Sequence, residues 1–437
     1  MPRHRKSARL NVFLNSRLVG QLNHEASGAI DFRYDPDWLA WEHTLPISLS
    51  LPLREDRYIG APVSAVFDNL LPDNDGIRKK IAVRVGAEGV DPFSLLSALG
   101  RDCVGALQFL PEGVDPGPAG IIKGHPIKDS DIAELIGNLA RSPLGLERDD
   151  DFRISITGAQ EKTALLRHKG RWQKPFGTTA TTHILKPQIG QLPNGIDLTN
   201  SVENEYLCLT LTKAFGLPSA HVEMTTFGEK RVLIVERFDR LFTKDGRLLR
   251  VPQEDCCQAL SVPWPRKYEG DGGPGVQQIL RLLAGSDDAD TDRRHFLKAI
   301  IVFWLLAATD GHAKNFSVQL SSGGGYRLAP LYDVVSAQPS LDASQIRRNK
   351  MKMAMAVGDS RHYAVERISG RHFIQSAAKA GLGKSVALGV IGEVVDTAAG
   401  ALERVMAKLP KGFPEKIAAS VERGVRARVE HLARESG

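Results

Sequence analysis

The chain has 437 residues, 42% of them hydrophobic and 25% charged, with a formal net charge of +6. That length exceeds what one hydrophobic core usually serves, so two or three lobes are expected, and the composition is that of a soluble globular protein, not a fibrous or disordered one. No run reads as long and apolar enough to span a membrane. The basic start (Arg3, Arg5, Lys6, Arg9) leads into LNVFLNSRLVG, which Asn11, Asn15 and Arg17 break too often for a signal-peptide core, so a cytoplasmic location is expected. Cys103, Cys208, Cys256 and Cys257 lack metal-ligand spacing and read as reduced core thiols. A second basic cluster near the end (Lys416, Arg423, Arg426, Arg428, Arg434) suggests a polyanion nearby; the plainer reading is a solvated helix face.

Residues 8–50 alternate apolar and polar in short runs punctuated by Asn, Gly and Asp-Pro, which predicts a small antiparallel sheet. From Pro62 to Val85 the period turns helical, broken at Pro72 and resumed through Ile77 and Ile81. Nothing in this first lobe looks catalytic, and it reads as a scaffold or docking domain. PEGVDPGPAG at 111–120 is the best boundary in the chain, followed by a short helix near Ser130 to Ala140 and the acidic ERDDD at 147–151.

A strand is then predicted at Arg153 to Thr157, a turn at Gly158 to Glu161, and a strand at Lys162 to Arg167. Such a turn could fold the backbone N–H groups of Thr157, Gly158 and Ala159 over phosphates. It is neither a Walker A loop nor the three-glycine kinase loop, so alone it is a weak signal. His183 to Lys186 reads as a strand ending at Pro187, its lysine a point charge for α- and β-phosphates. A helix from Ser201 to Phe215, capped by Asn200 or Ser201, offers Glu203 or Glu205 to orient Lys186, with nothing to choose between them. RVLIVE at 231–236 is apolar enough for a central strand, and it stops at Arg237-Phe238-Asp239. Glu236 to Phe238 would then be a hinge reading an adenine edge through its backbone, with Asp239 placed for a ribose hydroxyl.

The stretch AIIVFWLLAATDGHAKNFSVQLSSGGGYRLAPLYDVVS, 299–336, organises the rest. A buried helix ends at Asp310-Gly311, where Gly311 is expected to take a conformation closed to other residues and to aim Asp310 outward. His312, Lys314 and Asn315 follow, then two strand-like runs around Ser321 to Gly325, a hairpin. Pairing symmetric about Gly323 and Gly324 would set Asn315 beside Tyr332 and Asp333, so that Asn315 and Asp333 could share one metal ion. A carboxylate, an Asn five residues on, and an Asp past a hairpin is the layout protein kinases use for base and magnesium ligands. The spacing alone is equally consistent with turn-forming Asp310 and Asp333. From Val276 onward the period is helical but for this hairpin and a loop near Gly358, and the last helix, Glu415 to Ala433, carries one apolar stripe.

TDGHAKNFS followed by YDVVSA, with SITGAQEKTALL and VERFDR upstream, resembles the HipA family of bacterial toxin kinases. The likeness runs from Asp151 into the C-terminal helices, and residues 1–110 are compatible with that family's N-terminal subdomain. The resemblance implies an α+β, kinase-like two-lobed fold: an N-terminal β-rich subdomain (1–110), a linker and short helix (111–150), a strand-rich nucleotide-binding lobe (151–251) and a mostly α-helical catalytic lobe (252–437). It implies ATP and Mg²⁺, with Asp310 as catalytic base, Asn315 and Asp333 on the metal, and Lys186, Gln253, His312 and Tyr332 near the nucleotide. It further implies autophosphorylation at Ser155, glutamyl-tRNA synthetase as the protein substrate, and a HipB-type helix-turn-helix antitoxin that carries the complex to operator DNA. Two rival readings are a pseudokinase acting as a DNA-binding co-repressor and a metal-dependent hydrolase built on Asp310, His312 and Asp333.

Overall fold

The computed structural model describes residues 7–147 and 150–434; Arg3, Arg5 and Lys6 of the basic start, and two residues of ERDDD, lie outside them. The first lobe is a five-stranded antiparallel sheet in the order Tyr58–Ile59, Ile30–Tyr34, Arg17–His24, Ala8–Leu14, Leu107–Pro111. Alternation along these strands buries Leu10, Val12, Leu22, Phe32 and Tyr34 on one face, and the helices Ala61–Asp68 and Pro92–Leu99 cover it. Leu107–Pro111, buried at four of its five positions, closes the sheet against the first strand, a long-range pairing that no local signal announces.

The middle lobe is a six-stranded antiparallel sheet ordered Val222–Phe227, Lys230–Glu236, His183–Pro187, Thr163–His168, Arg171–Pro175, Gly124–Pro126. Gly124–Pro126 is its edge strand, and helix Asp129–Gly137 puts Ile132 and Ile136 onto Leu165, Leu185, Phe227, Val232 and Ile234. The stretch expected to be linker and helix thus covers one face of this sheet. Arg153 to Thr157 forms no ladder strand. Ile154, Ser155 and Ile156 are all buried, at 1%, 0% and 3% exposure, and the segment is pinned to the first lobe, Ser155 N–H donating to the Asp102 carbonyl at 2.9 Å. Apolar residues bracketing a serine here mark burial on every side, not the in-and-out alternation of a strand with one wet face.

The last lobe is built on the helix Ala289–Leu306, buried from Phe296 onward and flanked by helices Lys384–Met406 and Glu415–Arg434. Its left-handed terminus is Ala307, φ 51°, whose N–H caps Phe303 and Trp304 carbonyls. Gly311 is needed for space instead, since a Cβ there would stand 2.7 Å from the Phe303 ring. The expected loop near Gly358 is the bend of a hairpin, Lys352–Val357 with His362–Ala364. Contrary to the sequence reading, Lys384–Met406 is long and apolar enough to cross a membrane. Valines with Ile391, Leu388 and Leu402 raise its hydropathy, and its Val390, Ile391, Val394, Ala398 and Leu402 are buried against the rest of the lobe. The C-terminal arginines expected to face a polyanion are partly spent inside the molecule. Arg428 reaches the Leu305 carbonyl and Gln338 at 2.8 Å each, Arg423 pairs with Asp342, and Arg426 with Glu422.

Candidate active site

The lobes meet around a cleft of about 450 Å³. On its floor, the loop after helix Ala289–Leu306 folds back on itself. His312 N–H and the Asn315 side-chain amide both donate to the Asp310 carbonyl, at 2.8 and 2.9 Å, and this fixes the Asp310 backbone while its carboxylate enters the cleft. Tyr268 Oη donates to Asp310 Oδ1 at 2.5 Å. Burial pushes the Asp310 carboxyl above its ordinary range, Tyr268 opposing and Asp333 assisting. The Tyr268 ring meets His312 edge-on at 4.9 Å. His312 is neutral, pushed down to about 4 by burial and by Lys267, and its Nδ1 is buried without a partner.

The expected hairpin forms, Ser317–Leu320 with Tyr326–Leu328, pairing Leu320 with Tyr326 and Val318 with Leu328, its register centred on Gly323 and not between Gly323 and Gly324. Tyr332 is thereby returned to the loop, its hydroxyl donating to the Lys314 carbonyl at 2.7 Å. Asp333 follows in the left-handed region, φ 59°; for a non-glycine residue that conformation persists only where its surroundings hold it. The Lys186 ammonium bonds Glu205 at 2.7 Å and Asp333 Oδ1 at 3.0 Å. Glu205 is therefore the partner that the sequence left undecided; Glu203 is occupied by Arg231 and Gln188. Burial alone would raise the Asp333 carboxyl, but Lys186 and Lys162 hold it well below the carboxylate range. Against burial, Asp333 and Glu205 keep Lys186 protonated.

Thr157, Gly158 and Ala159 line the cleft wall. Gly158 takes φ 99°, and a Cβ on it would meet Lys162 Nζ at 2.6 Å. That lysine, overlooked in the sequence as an ordinary strand entry, donates to the Thr157 carbonyl at 2.8 Å, and burial with help from Lys186 pushes it down to about 8. Its place in Gln160-Glu161-Lys162-Thr163, directly after the turn, was the available signal.

At the opposite end, Phe238 and Tyr332 form an aromatic wall with centroids 5.8 Å apart, and Glu236 and Gln253 line the same cleft. Gln253 Oε1 is buried without a partner. Hinge geometry departs from expectation in two respects. The N–H groups of Glu236 and Arg237 are already used, on the carbonyls of His221 and Thr182, both at 2.9 Å. The Asp239 carboxylate, expected at a ribose hydroxyl, is held by Arg237, Arg240 and the Gly105 N–H at 2.7–3.0 Å. It belongs to a buried ion network in which Asp102 of the first lobe takes Arg237, Arg240 and Arg250.

The first lobe also reaches the cleft, which the sequence did not suggest. Asp73, beyond the end of helix Ala61–Asp68, lines the cleft and binds Lys267 Nζ at 3.0 Å. Lys314 is anchored there too, bonding the Asn69 carbonyl and side chain at 2.9 Å and Asp255 at 2.8 Å.

A strand-rich lobe over a helical one, with a lysine–glutamate pair, a carboxylate loop and an Asn/Asp pair in the cleft between, defines a kinase-like architecture. Residues 154–402 match the HipA-like C-terminal domain and residues 10–110 the HipA N-terminal domain. The chain belongs to the HipA family. It is 36% identical over 401 residues to Y4mE of Sinorhizobium fredii, 91% of each chain. It is 28% identical over 367 residues to the serine/threonine-protein kinase toxin HipA of Shewanella oneidensis, covering 81% of this chain and 79% of that one. The fold also matches Shewanella oneidensis HipA as solved with HipB and its operator DNA, at TM-score 0.81 and 24% identity over 97% of each chain.

Proposed function

We propose that this chain is an ATP-dependent serine/threonine protein kinase and the toxin of a toxin–antitoxin pair. The observation that carries the reading is the convergence of Asp310, Asn315, Asp333 and Lys186 on one cleft. Asp310 accepts the proton of the attacking hydroxyl. Its carboxyl, raised by burial, is a stronger base than an exposed aspartate, and base efficiency rises as the pKa approaches working pH. The Asn315 amide oxygen and the Asp333 carboxylate are hard oxygen donors of the kind Mg²⁺ takes; bound there it would neutralise phosphate charge. Lys186, fixed by Glu205, and Lys162 meet the phosphates. Thr157 to Ala159 cover them, while Phe238 and Tyr332 hold the base and Gln253 offers its unpartnered oxygen to a nucleotide hydroxyl or bound water.

By family resemblance the protein substrate is glutamyl-tRNA synthetase, whose phosphorylation would inhibit translation and promote persistence. The partner is a HipB-type helix-turn-helix antitoxin, through which the complex reaches operator DNA; the solved Shewanella complex supports that pairing. Ser155 is the site of self-phosphorylation. Labelled ATP, with and without magnesium, tests the reading: magnesium-dependent label on protein is expected. No label at all would favour the co-repressor reading, and free phosphate alone a hydrolase.

A further inference from the structure

Asp73 is an odd residue for a scaffold. Its side chain is 2% exposed, yet it lies on the wall of the cleft with Asp310 and Lys267, and its Oδ1 has no hydrogen-bond partner, with Lys314 Nζ 3.7 Å away. A buried carboxylate is retained only where charges compensate it. Here Oδ2 takes the Lys267 ammonium at 3.0 Å, while Asp73 N–H approaches the Gly158 carbonyl of the phosphate loop at 3.4 Å. The lysines it holds are joined to the reacting groups. The Lys267 carbonyl accepts from Ala313 N–H at 3.3 Å, inside the Asp310–Asn315 loop. The next residue, Tyr268, bonds Asp310 itself. Lys314 immediately precedes Asn315.

We propose that Asp73, supplied by the N-terminal subdomain, is a positioning residue of the phosphoryl-transfer site, holding Lys267 in the cleft and, with Asn69 and Asp255, fixing the loop that carries Asp310 and Asn315. The inference rests on the kinase reading. It makes the N-terminal subdomain a working part of the site: separating that subdomain from the cleft would release Lys267, Lys314 and the phosphate loop together. Burial would raise the Asp73 carboxyl, but Lys314, Lys267 and Lys162 hold it ionised, so the contact is a charge pair that an amide cannot replace.

The test is steady-state transfer by the full chain as wild type, Asp73→Asn, Lys267→Met and the double variant, with nucleotide affinity and thermal unfolding measured on each. Loss of positioning predicts a kcat lower by about tenfold to a hundredfold in each single variant. The double variant should fall no further than the worse single, with nucleotide Kd changed less than threefold. Full kcat in Asp73→Asn, or losses that multiply in the double variant, overturns the proposal. Should Asp73→Asn melt early, Lys267→Met decides from the partner side: a tenfold loss of kcat supports it, an unchanged kcat overturns it. A wild type that transfers no label refutes the kinase reading itself, a result distinct from active wild type with indifferent variants.

Discussion

Phosphorylation of Ser155 should trap the phosphate loop outside the cleft. The hydroxyl is fully buried and donates to the Leu70 carbonyl at 2.7 Å, so no kinase can reach it until the segment leaves its slot. Withdrawing Ile154 and Ile156 from the core costs about 3–6 kcal/mol at the usual value for burying such side chains. The open segment is then populated in roughly one molecule in 10² to 10⁴, at 1.4 kcal/mol per decade. Transfer captures that minor state. Return would bury a dianion, at several kcal/mol per charge, and this exceeds the packing regained. Since Lys162 is tied to the Thr157 carbonyl, the open loop takes both backbone donors and a cation away from the phosphates. The assay is intact-mass and peptide mapping after incubation with Mg-ATP, then calorimetric nucleotide binding and limited proteolysis of the modified form. Cleavage after Lys162 should accelerate and nucleotide affinity fall by at least tenfold. Ser155→Ala removes one hydrogen bond, about 1 kcal/mol, and should weaken nucleotide binding fivefold or less. A phosphate on another residue, or phospho-Ser155 protein that binds nucleotide normally, refutes the reasoning.

Asp333→Asn should weaken Mg-ATP binding by tenfold or more while the protein still folds, and unchanged affinity by calorimetry would reduce Asp333 to a turn residue. Lys162, pushed down to about 8, is a cation below that pH and neutral above it, and bound phosphates favour the charged form. Nucleotide affinity should therefore be full below pH 8 and decline above it; Lys162→Met should flatten that limb in a titration of Kd against pH. Asp102→Asn leaves Arg237, Arg240 and Arg250 buried with less counter-charge, so chemical denaturation should show a loss of about 3–5 kcal/mol; a change below 1 kcal/mol would mean the network reorganises freely.

What the sequence disclosed was what is local. The buried helix, the hairpin about Gly323 and the Asp310–Asn315–Asp333 order are set by periodicity, turn chemistry and short spacing, and the structure brings those residues to one cleft. What it concealed depends on distant partners. Glu205 and Glu203 are both in the first turns of one helix, and only the packing of that helix against strands Val222–Phe227 and Lys230–Glu236 of the middle sheet makes Glu205 the partner of Lys186. Arg153 to Thr157 has the composition of a strand, but its partners are single backbone groups of the first lobe, Leu70 and Asp102. Asp73 follows a proline in a plausible turn, and nothing within ten residues hints that Lys267 and Lys314 lie beside it. Gly311 illustrates a right residue for a wrong reason: sterics against Phe303, not backbone φ, require it.

The central claim is that Asp310 is the base of a magnesium-dependent phosphoryl transfer, and Asp310→Asn tests it most directly, because the amide keeps size and hydrogen bonding while removing the proton acceptor. Measured in single turnover on saturating Mg-ATP, transfer to protein should fall by about 10²-fold to 10⁴-fold, with nucleotide affinity and thermal unfolding close to wild type. Transfer at the wild-type rate would contradict the account.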